Sequence, residues 1–144
     1  MNVMIVYDSY FGNNEKAARI MSDAITLAHQ VKAVHIKEMQ KRLPKETDLL
    51  VIGTPTRVFR PSGPVIRFIK SLDRDFLKDR MVSVYDTRMD VGKLDVPILK
   101  VLHTCRGSAA AYMEKKLLAK KAVIIGEPAG FVVCDSVGPF EEGE

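Results

Sequence analysis

The first sixteen residues constrain the fold of this chain most strongly. An apolar run at residues 2–7 is followed by the hydroxyl residue Ser9, and the chain then turns through Gly12 into a helical pattern that begins with Asn13 and Asn14. A buried strand, a tight loop and a helix N-terminus in so short a segment direct backbone N–H groups and the positive end of a helix dipole at one point. The sequence therefore predicts a site for an anion, suited to a phosphate group, near the start of the chain.

Strand-like and helix-like segments alternate along the rest of the sequence. Strands are predicted at residues 30–36, 48–53, 80–85, 122–125 and 131–133, and helices at 14–29, 62–72, 96–105 and 107–121. This alternation predicts a parallel sheet covered by helices on both faces. A length of 144 residues, 47% of them hydrophobic, predicts a single domain over residues 1–144 with a core of its own.

Three loops follow the carboxyl ends of predicted strands, at residues 8–13, 54–63 and 86–95. Ligands of open parallel sheets bind outside the carboxyl ends of the strands, where the strand order reverses. We therefore expect these three loops to meet at one edge of the sheet and to form the binding site together.

Common nucleotide-binding and catalytic motifs do not account for this site. A dinucleotide-binding turn requires three spaced glycines, but the first loop contains only Gly12. A phosphate-binding loop of the Walker type requires Ser or Thr after Gly-Lys, and Gly92-Lys93 is followed by Leu94. The sequence contains neither a zinc-protease helix motif nor the serine elbow of hydrolases. We predict no catalytic side chain and no metal site.

Charge and cysteine usage restrict the class of partner. The net charge is +4, but the basic residues are scattered and do not alternate with aromatic residues, so we predict no nucleic-acid binding. No apolar run approaches the roughly 20 residues needed to cross a bilayer, and the first residues lack the pattern of a signal peptide. Cys105 and Cys134 have no metal-type spacing, which favours a cytoplasmic location.

Several segments together carry a resemblance to a known family. The first loop combines an aromatic residue, Tyr7, with Ser9 and Gly12, and the next helix carries Ala18. Further matching segments are Gly53-Thr54-Pro55-Thr56, Asp86-Thr87-Arg88, Gly107-Ser108-Ala109-Ala110 and residues 138–144. In this order, and over nearly the whole chain, they resemble flavodoxins. The resemblance implies an α/β fold with a doubly wound, five-stranded parallel sheet in the order 2-1-3-4-5, with the family's final helix missing or truncated.

The resemblance also implies a cofactor, FMN, and the residues that contact it. The implied contacts are Ser9, Tyr10, Phe11, Gly12, Asn13 and Asn14 in the first loop, Thr54, Pro55, Thr56, Arg57 and Phe59 in the second, and Asp86, Thr87 and Arg88 in the third. The first group would hold the phosphate, and the other two would lie on either side of the flavin ring. The implied function is electron transfer to a redox partner protein.

This chain departs from the family pattern at both ends of the implied cofactor. Asn14 stands where the family usually has Thr, and Phe11 stands where a second Thr is common. A hydroxyl bonded to a charged phosphate contributes roughly 1.5–3 kcal/mol, so we expect weaker phosphate binding, which the amide of Asn14 offsets in part. The chain has no Trp, and residues 86–95 contain no aromatic residue to stack on a flavin.

Two other functions stay open at this stage. Arg57, Arg60 and Arg88 would suit a nicotinamide nucleotide, which favours an FMN-dependent NAD(P)H or quinone reductase, or else an acidic redox partner. Phe11 and the third loop, without aromatics, instead favour an interaction module of the same fold that has lost the flavin. The absent final helix leaves two explanations, a truncated chain or a homo-oligomer in which another subunit covers the exposed apolar strip.

Overall fold

Six parallel strands form the sheet in the computed structural model, which describes residues 1–39, 42–89, 107–134, 139–140 and 142. The strands are β1 (Asn2–Tyr7), β2 (Gln30–His35), β3 (Leu49–Pro55), β4 (Met81–Met89), β5 (Val123–Ile124) and β6 (Ala129–Val133). The helices are α1 (Asn13–Thr26), α2 (Gly63–Ser71), α3 (Arg74–Leu77) and α4 (Ala109–Leu118), with a short 3-10 helix at Ile36–Glu38.

The order of the strands is β2-β1-β3-β4-β5, with β6 also paired to β4. Every one of these pairs is parallel. The predicted α/β fold and the strand order 2-1-3-4-5 are therefore confirmed. The order reverses at β1, whose neighbours are β2 and β3, so the loop after β1 lies at the position where such sheets bind ligands.

Two short strands share the fifth position of the sheet. β5 pairs with Met81 and Val82 at the start of β4, and β6 pairs with Tyr85–Met89 at its end. Between them, the chain leaves the edge of the sheet at residues 125–128. The two predicted strand segments are thus successive parts of one edge.

The carboxyl ends of β3 and β4 extend further than predicted. β3 continues to Pro55, where a loop from residue 54 was expected, and β4 continues to Met89, where a loop from residue 86 was expected. The reason is pairing: Thr54 lies opposite Asp86, and residues 85–89 lie opposite 129–133. Polar residues that suggest a loop are here buried in the sheet.

The helices also differ from their predicted bounds. α1 ends at Thr26 instead of residue 29, and α4 ends at Leu118 instead of residue 121. The predicted helix at 96–105 lies outside the described residues, and within those residues no helix follows β6. No helix in the described ranges is long and apolar enough to span a membrane.

Helices cover the sheet on both faces, and β1 illustrates the division. Ile5 and Val6 are both fully buried, and as neighbours in a strand they point to opposite faces. Ile5 packs in the cluster that contains Ala17 and Ala18 of α1, whereas Val6 belongs to the cluster that contains α2 and α4. Burial on both faces explains why this strand reads as an uninterrupted apolar run.

Candidate functional site

A small pocket lies at the carboxyl ends of β1, β3 and β4, with an enclosed volume of about 100 Å³. Its lining consists of Ser9, Tyr10, Phe11, Asn13, Asn14, Pro55, Thr56, Arg57, Thr87, Arg88, Met89 and Val133. Residues from all three predicted loop regions therefore meet at one edge of the sheet.

The first loop is closed by hydrogen bonds among its own residues. The backbone N–H of Gly12 donates to Oγ of Ser9 (3.0 Å), and the N–H of Ser9 donates to Oδ1 of the buried Asp8 (3.0 Å). Gly12 has a φ of 88°, a left-handed conformation that favours glycine, and it is the N-cap of α1. A glycine cap has no side chain to bond the first N–H groups of the helix, so these groups stay oriented towards the loop.

Asn14 connects the first loop to β4. Its side chain is buried, and Nδ2 donates to Oγ1 of Thr87 (2.9 Å). Its backbone carbonyl accepts a hydrogen bond from the hydroxyl of Tyr85 (3.1 Å), and burial raises the pKa of that tyrosine, which keeps the proton in place. Oδ1 of Asn14 is buried and bonds to nothing in the described part of the chain. One end of this amide is therefore committed to Thr87, and the oxygen at its other end has no hydrogen bond to a described residue.

The second region begins as strand and then forms a very tight hairpin. The backbone N–H of Thr56 donates to the carbonyl of Thr87 (2.9 Å). Arg57 and Arg60 then exchange two backbone hydrogen bonds of 3.0 Å each, so that only Val58 and Phe59 form the turn. Both turn residues have positive φ, 47° and 64°, the geometry of a type I′ turn.

The two central side chains of the hairpin, Val58 and Phe59, differ in burial. Phe59 is only 7% exposed and belongs to the interior, whereas Val58 is 65% exposed. Arg57 reaches back over the first loop, with its guanidinium carbon 4.3 Å from the centre of the Tyr10 ring. This cation–π contact joins the first two loops.

In the third region of the site, at the end of β4, Asp86 and Arg88 form a largely buried ion pair. Asp86 is fully buried; its Oδ2 accepts a hydrogen bond from the N–H of Ala110 (2.8 Å), and its Oδ1 lies 3.1 Å from Nε of Arg88. Burial raises the pKa of Asp86, and Arg88, the Ala110 N–H and the Thr56 hydroxyl oppose that rise. The Arg88 guanidinium lies against Gly130, where a Cβ atom would come within 1.4 Å of Nη2. Arg88 is thus held in place by its pairing with Asp86, and the absence of a side chain at Gly130 leaves the space that its guanidinium occupies.

Most of the residues implied by the resemblance line the pocket, but four lie elsewhere. Gly12 shapes the loop, and Thr54, Phe59 and Asp86 are buried behind the pocket walls. Thr54 accepts a hydrogen bond from the N–H of Ser62 through Oγ1 (2.9 Å), which fixes the start of α2.

Sequence reasoning did not identify Val133 as part of the pocket. It lies at the end of β6, opposite Met89 of β4, and it is 4% exposed. Only the pairing of β6 with the end of β4 brings it to the pocket, and an apolar residue in a short strand gives no signal of that pairing.

Comparison with known proteins gives a consistent set of relatives. No family model matches the chain. A curated flavodoxin from Clostridium saccharobutylicum is 22% identical over 106 residues, which cover 72% of this chain and 66% of that protein, just under two thirds of its length.

Solved structures show the same fold. The two-electron-reduced flavodoxin of Megasphaera elsdenii superposes with a TM-score of 0.70 at 19% identity, over 89% of this chain and 85% of that one. A flavodoxin from the domain Archaea gives 0.69 at 15% identity, over 92% and 83%. At these identities the structural likeness concerns the fold.

Proposed function

We propose that this chain is a member of the flavodoxin family, that it binds FMN without a covalent bond and that it transfers electrons through the bound flavin. The observation that carries the proposal is the position of the glycine-capped N-terminus of α1, whose first residues line a pocket at the strand ends together with Ser9. An N-terminus without a side-chain cap attracts an anion such as the phosphate of FMN. The Oδ1 of Asn14, which has no partner among the described residues, can only accept a hydrogen bond, so it suits a hydroxyl group of the ligand and not a phosphate oxygen.

The phosphate end of FMN fits the first loop. Ser9, Asn13 and Asn14 line the pocket there, and Gly12 gives the backbone its turn. The enclosed volume of about 100 Å³ is smaller than the roughly 300 Å³ at which small-molecule pockets begin, so this space suits a phosphate group and its nearest atoms. The larger part of the cofactor would lie at the opening.

The flavin ring would lie between the second and third regions. Pro55, Thr56 and Arg57 would contact one side, and Thr87, Arg88 and Met89 the other. Tyr10 and Phe11 are 44% and 53% exposed at the opening and supply apolar surface. When bound, FMN accepts and donates electrons itself, and the residues of this chain hold it and limit its contact with water.

The redox partner is proposed to be an acidic protein that docks at the opening of the pocket. Arg57 and Arg60 are both exposed, and neither forms an ion pair with a described residue. Unpaired cations beside exposed apolar side chains suit a negatively charged partner. The rate at which the reduced protein reduces the anion ferricyanide is expected to fall with added salt and in the double variant Arg57→Glu/Arg60→Glu. A salt-independent rate would contradict this docking surface.

One observation favours the flavin-free interaction module as the second candidate: the enclosed volume is small. The reductase alternative receives less support, because Arg88 is paired with Asp86, which leaves two of the three arginines, Arg57 and Arg60, for a second nucleotide. We also propose a cytoplasmic location, because the free Cys134 is exposed and would oxidise readily elsewhere.

Titration of FMN fluorescence separates these functions. We expect quenching by the protein, and an affinity for FMN at least about tenfold above that for riboflavin, which lacks the phosphate. Asn14→Asp should abolish most of this preference by placing a carboxylate beside the phosphate. Gln30→Glu makes the same change of charge at an exposed position and is the control.

Three results would contradict the proposal in different ways. If the folded protein does not quench millimolar FMN, FMN is not its cofactor and the interaction module is the function that remains. Equal affinities for FMN and riboflavin would show that the pocket does not bind the phosphate. An unchanged FMN preference in Asn14→Asp would show that Asn14 does not lie beside the phosphate.

A further inference from the structure

A second and larger cavity shares no lining residue with the first pocket. It has a volume of about 860 Å³ and lies between the connection from β2 to β3 and the outer sides of α2 and α3. We call it the α2 cavity. Its apolar floor consists of Ile36, Met39, Leu43, Phe68, Leu72 and Phe76.

The cavity exists because of how the chain connects β2 to β3. A connection between parallel strands usually contains an α-helix that covers the sheet. Among the described residues of this connection, which are 36–39 and 42–48, the one helical element is the 3-10 helix Ile36–Glu38, and Pro44 interrupts the segment that follows. The side chains of Ile36, Met39 and Phe68 pack on the core but stay half-buried. Apolar surface that a helix would otherwise cover therefore stays accessible.

Cations surround this floor. Lys37, Arg42, Lys45 and Arg67 line the cavity and are exposed, whereas two acidic residues, Asp73 and Asp75, line it among the described residues. None of these side chains forms an ion pair within the described part of the chain. The cavity thus combines an apolar floor with an excess of uncompensated positive charge.

Arg80 fixes one wall of the cavity and adds a further cation. Its guanidinium donates to the carbonyls of Lys45 (3.2 Å) and Thr47, and its Nε donates to the carbonyl of Phe76 (2.8 Å). It also lies over the Phe76 ring, 3.9 Å from the centre. Neutral carbonyls satisfy its hydrogen bonds, but no carboxylate among the described residues balances its charge. A half-buried cation of this kind is stabilised by a bound anion.

We propose that the α2 cavity is a binding site for a small amphipathic anion: an aliphatic or aromatic body with a carboxylate or sulfonate head. The body lies on the floor near Phe68 and Leu72, and the head lies among Arg42, Arg67 and Arg80. The size favours a small molecule over a peptide helix. Small-molecule pockets have volumes of roughly 300–1,000 Å³, whereas three turns of helix, about 16 Å long and about 10 Å across, occupy roughly 1,300 Å³.

Two fluorescent probes test the site, with and without FMN, since the proposal does not depend on the flavin. Anilinonaphthalene sulfonate has an aromatic body and a negative head, and N-phenylnaphthylamine has a similar body without charge. We expect both to bind the folded protein saturably and dodecanoate to displace both. The double variant Arg42→Glu/Arg67→Glu should weaken binding of the sulfonate by at least about tenfold and leave the neutral probe almost unaffected.

Two further variants serve as controls. Lys70→Glu/Lys78→Glu makes the same change of charge at exposed positions of α2 and after α3 that do not line the cavity, so it should bind both probes normally. Ser71→Trp places a large ring at a position that lines the cavity, so both probes should lose affinity. Circular dichroism and the thermal midpoint of each variant establish that it is folded.

Three results would overturn the proposal. One is the absence of saturable binding to the folded wild-type protein. Another is equal weakening of sulfonate binding by the two double variants, which would reveal a general effect of charge. The third is a pair of observations: the protein sediments with phosphatidylglycerol vesicles in a way that depends on Arg42 and Arg67, and free dodecanoate does not displace the probes. Together they would show that this surface binds a membrane.

Discussion

Asn14 and Thr87 are 73 residues apart in sequence, yet their side chains meet in a buried hydrogen bond of 2.9 Å. The bond joins the first turn of α1 to the end of β4 and so fixes the two principal walls of the pocket relative to each other. Asn14 therefore has two roles, since its amide nitrogen holds the fold and the residue also lines the pocket.

Removal of this bond is expected to destabilise the protein. Asn14→Ala leaves Thr87 without its partner, so we expect the free energy of unfolding to fall by about 1–3 kcal/mol, measured by urea denaturation. Thr87→Val should cost a similar amount, because it leaves the buried Nδ2 of Asn14 without its acceptor. The double variant should cost less than the sum of the two, by about 1 kcal/mol. Strictly additive losses would show that the two side chains do not interact.

Gly130→Ala is expected to displace Arg88. A methyl group cannot occupy the position of the guanidinium, so the end of the Arg88 side chain must move, which weakens its pairing with the buried carboxylate of Asp86. We expect a loss of about 1–2 kcal/mol in the free energy of unfolding, because the displaced group is the end of a flexible, partly exposed side chain. Gly63→Ala is the matched control, because the nearest atom there is the exposed end of Arg67, 3.4 Å away. Equal effects at the two glycines would contradict the close approach of Arg88.

Asp86 is expected to make stability depend on pH. Burial raises its pKa in the folded protein, so the folded state holds the proton more tightly than the unfolded state does. Its contribution to stability is therefore complete below the unfolded value of about 3.9 and is lost as the pH rises through the folded pKa. The loss amounts to about 1.4 kcal/mol for each unit by which the pKa is raised.

The variant Asp86→Asn isolates this effect, because an amide oxygen can still accept from Ala110 but does not titrate. We expect the stability of the wild type, relative to the variant, to fall as the pH rises from about 4 and to level off above the folded pKa. Urea denaturation over this range measures the difference. A relative stability that rises with pH would mean that Arg88 outweighs burial.

Val58 is expected to be a poor residue for its position. A β-branched residue in the left-handed region is strained, and type I′ turns favour Asn at their first central position. Val58→Asn should therefore raise the free energy of unfolding by about 1 kcal/mol, seen as a higher thermal midpoint. Val123→Asn changes the same residue type at an exposed position in a strand, where valine is favourable, so it should have no stabilising effect. If both changes raise the thermal midpoint, the gain comes from a more soluble surface and not from relief of backbone strain at residue 58.

The sequence predicts the sheet well because the alternation of strands and helices leaves few topologies. It also predicts which loops approach each other, since parallel strands bring their carboxyl ends to one edge. It fails where polar residues are buried: Thr54 and Asp86 suggest loops, but pairing with neighbouring strands encloses them. It fails again at Phe59, because Val-Phe gives no sign of a type I′ turn that directs the ring inward.

The division of the fifth position of the sheet between β5 and β6 lowers the risk that this protein aggregates through that edge. An exposed edge strand is a template to which another chain can add, and its length and flatness determine the risk. Within the described residues, the edge on the β4 side consists of pieces of two and five residues with a gap between them, and Phe140 pairs with the end of the second piece. This edge is too short and discontinuous to template a long foreign strand. The opposite edge, β2, offers six continuous residues and carries Lys32 among them, a charge that discourages such addition. Any fibrillar or domain-swapped growth of this protein is therefore expected to begin at β2.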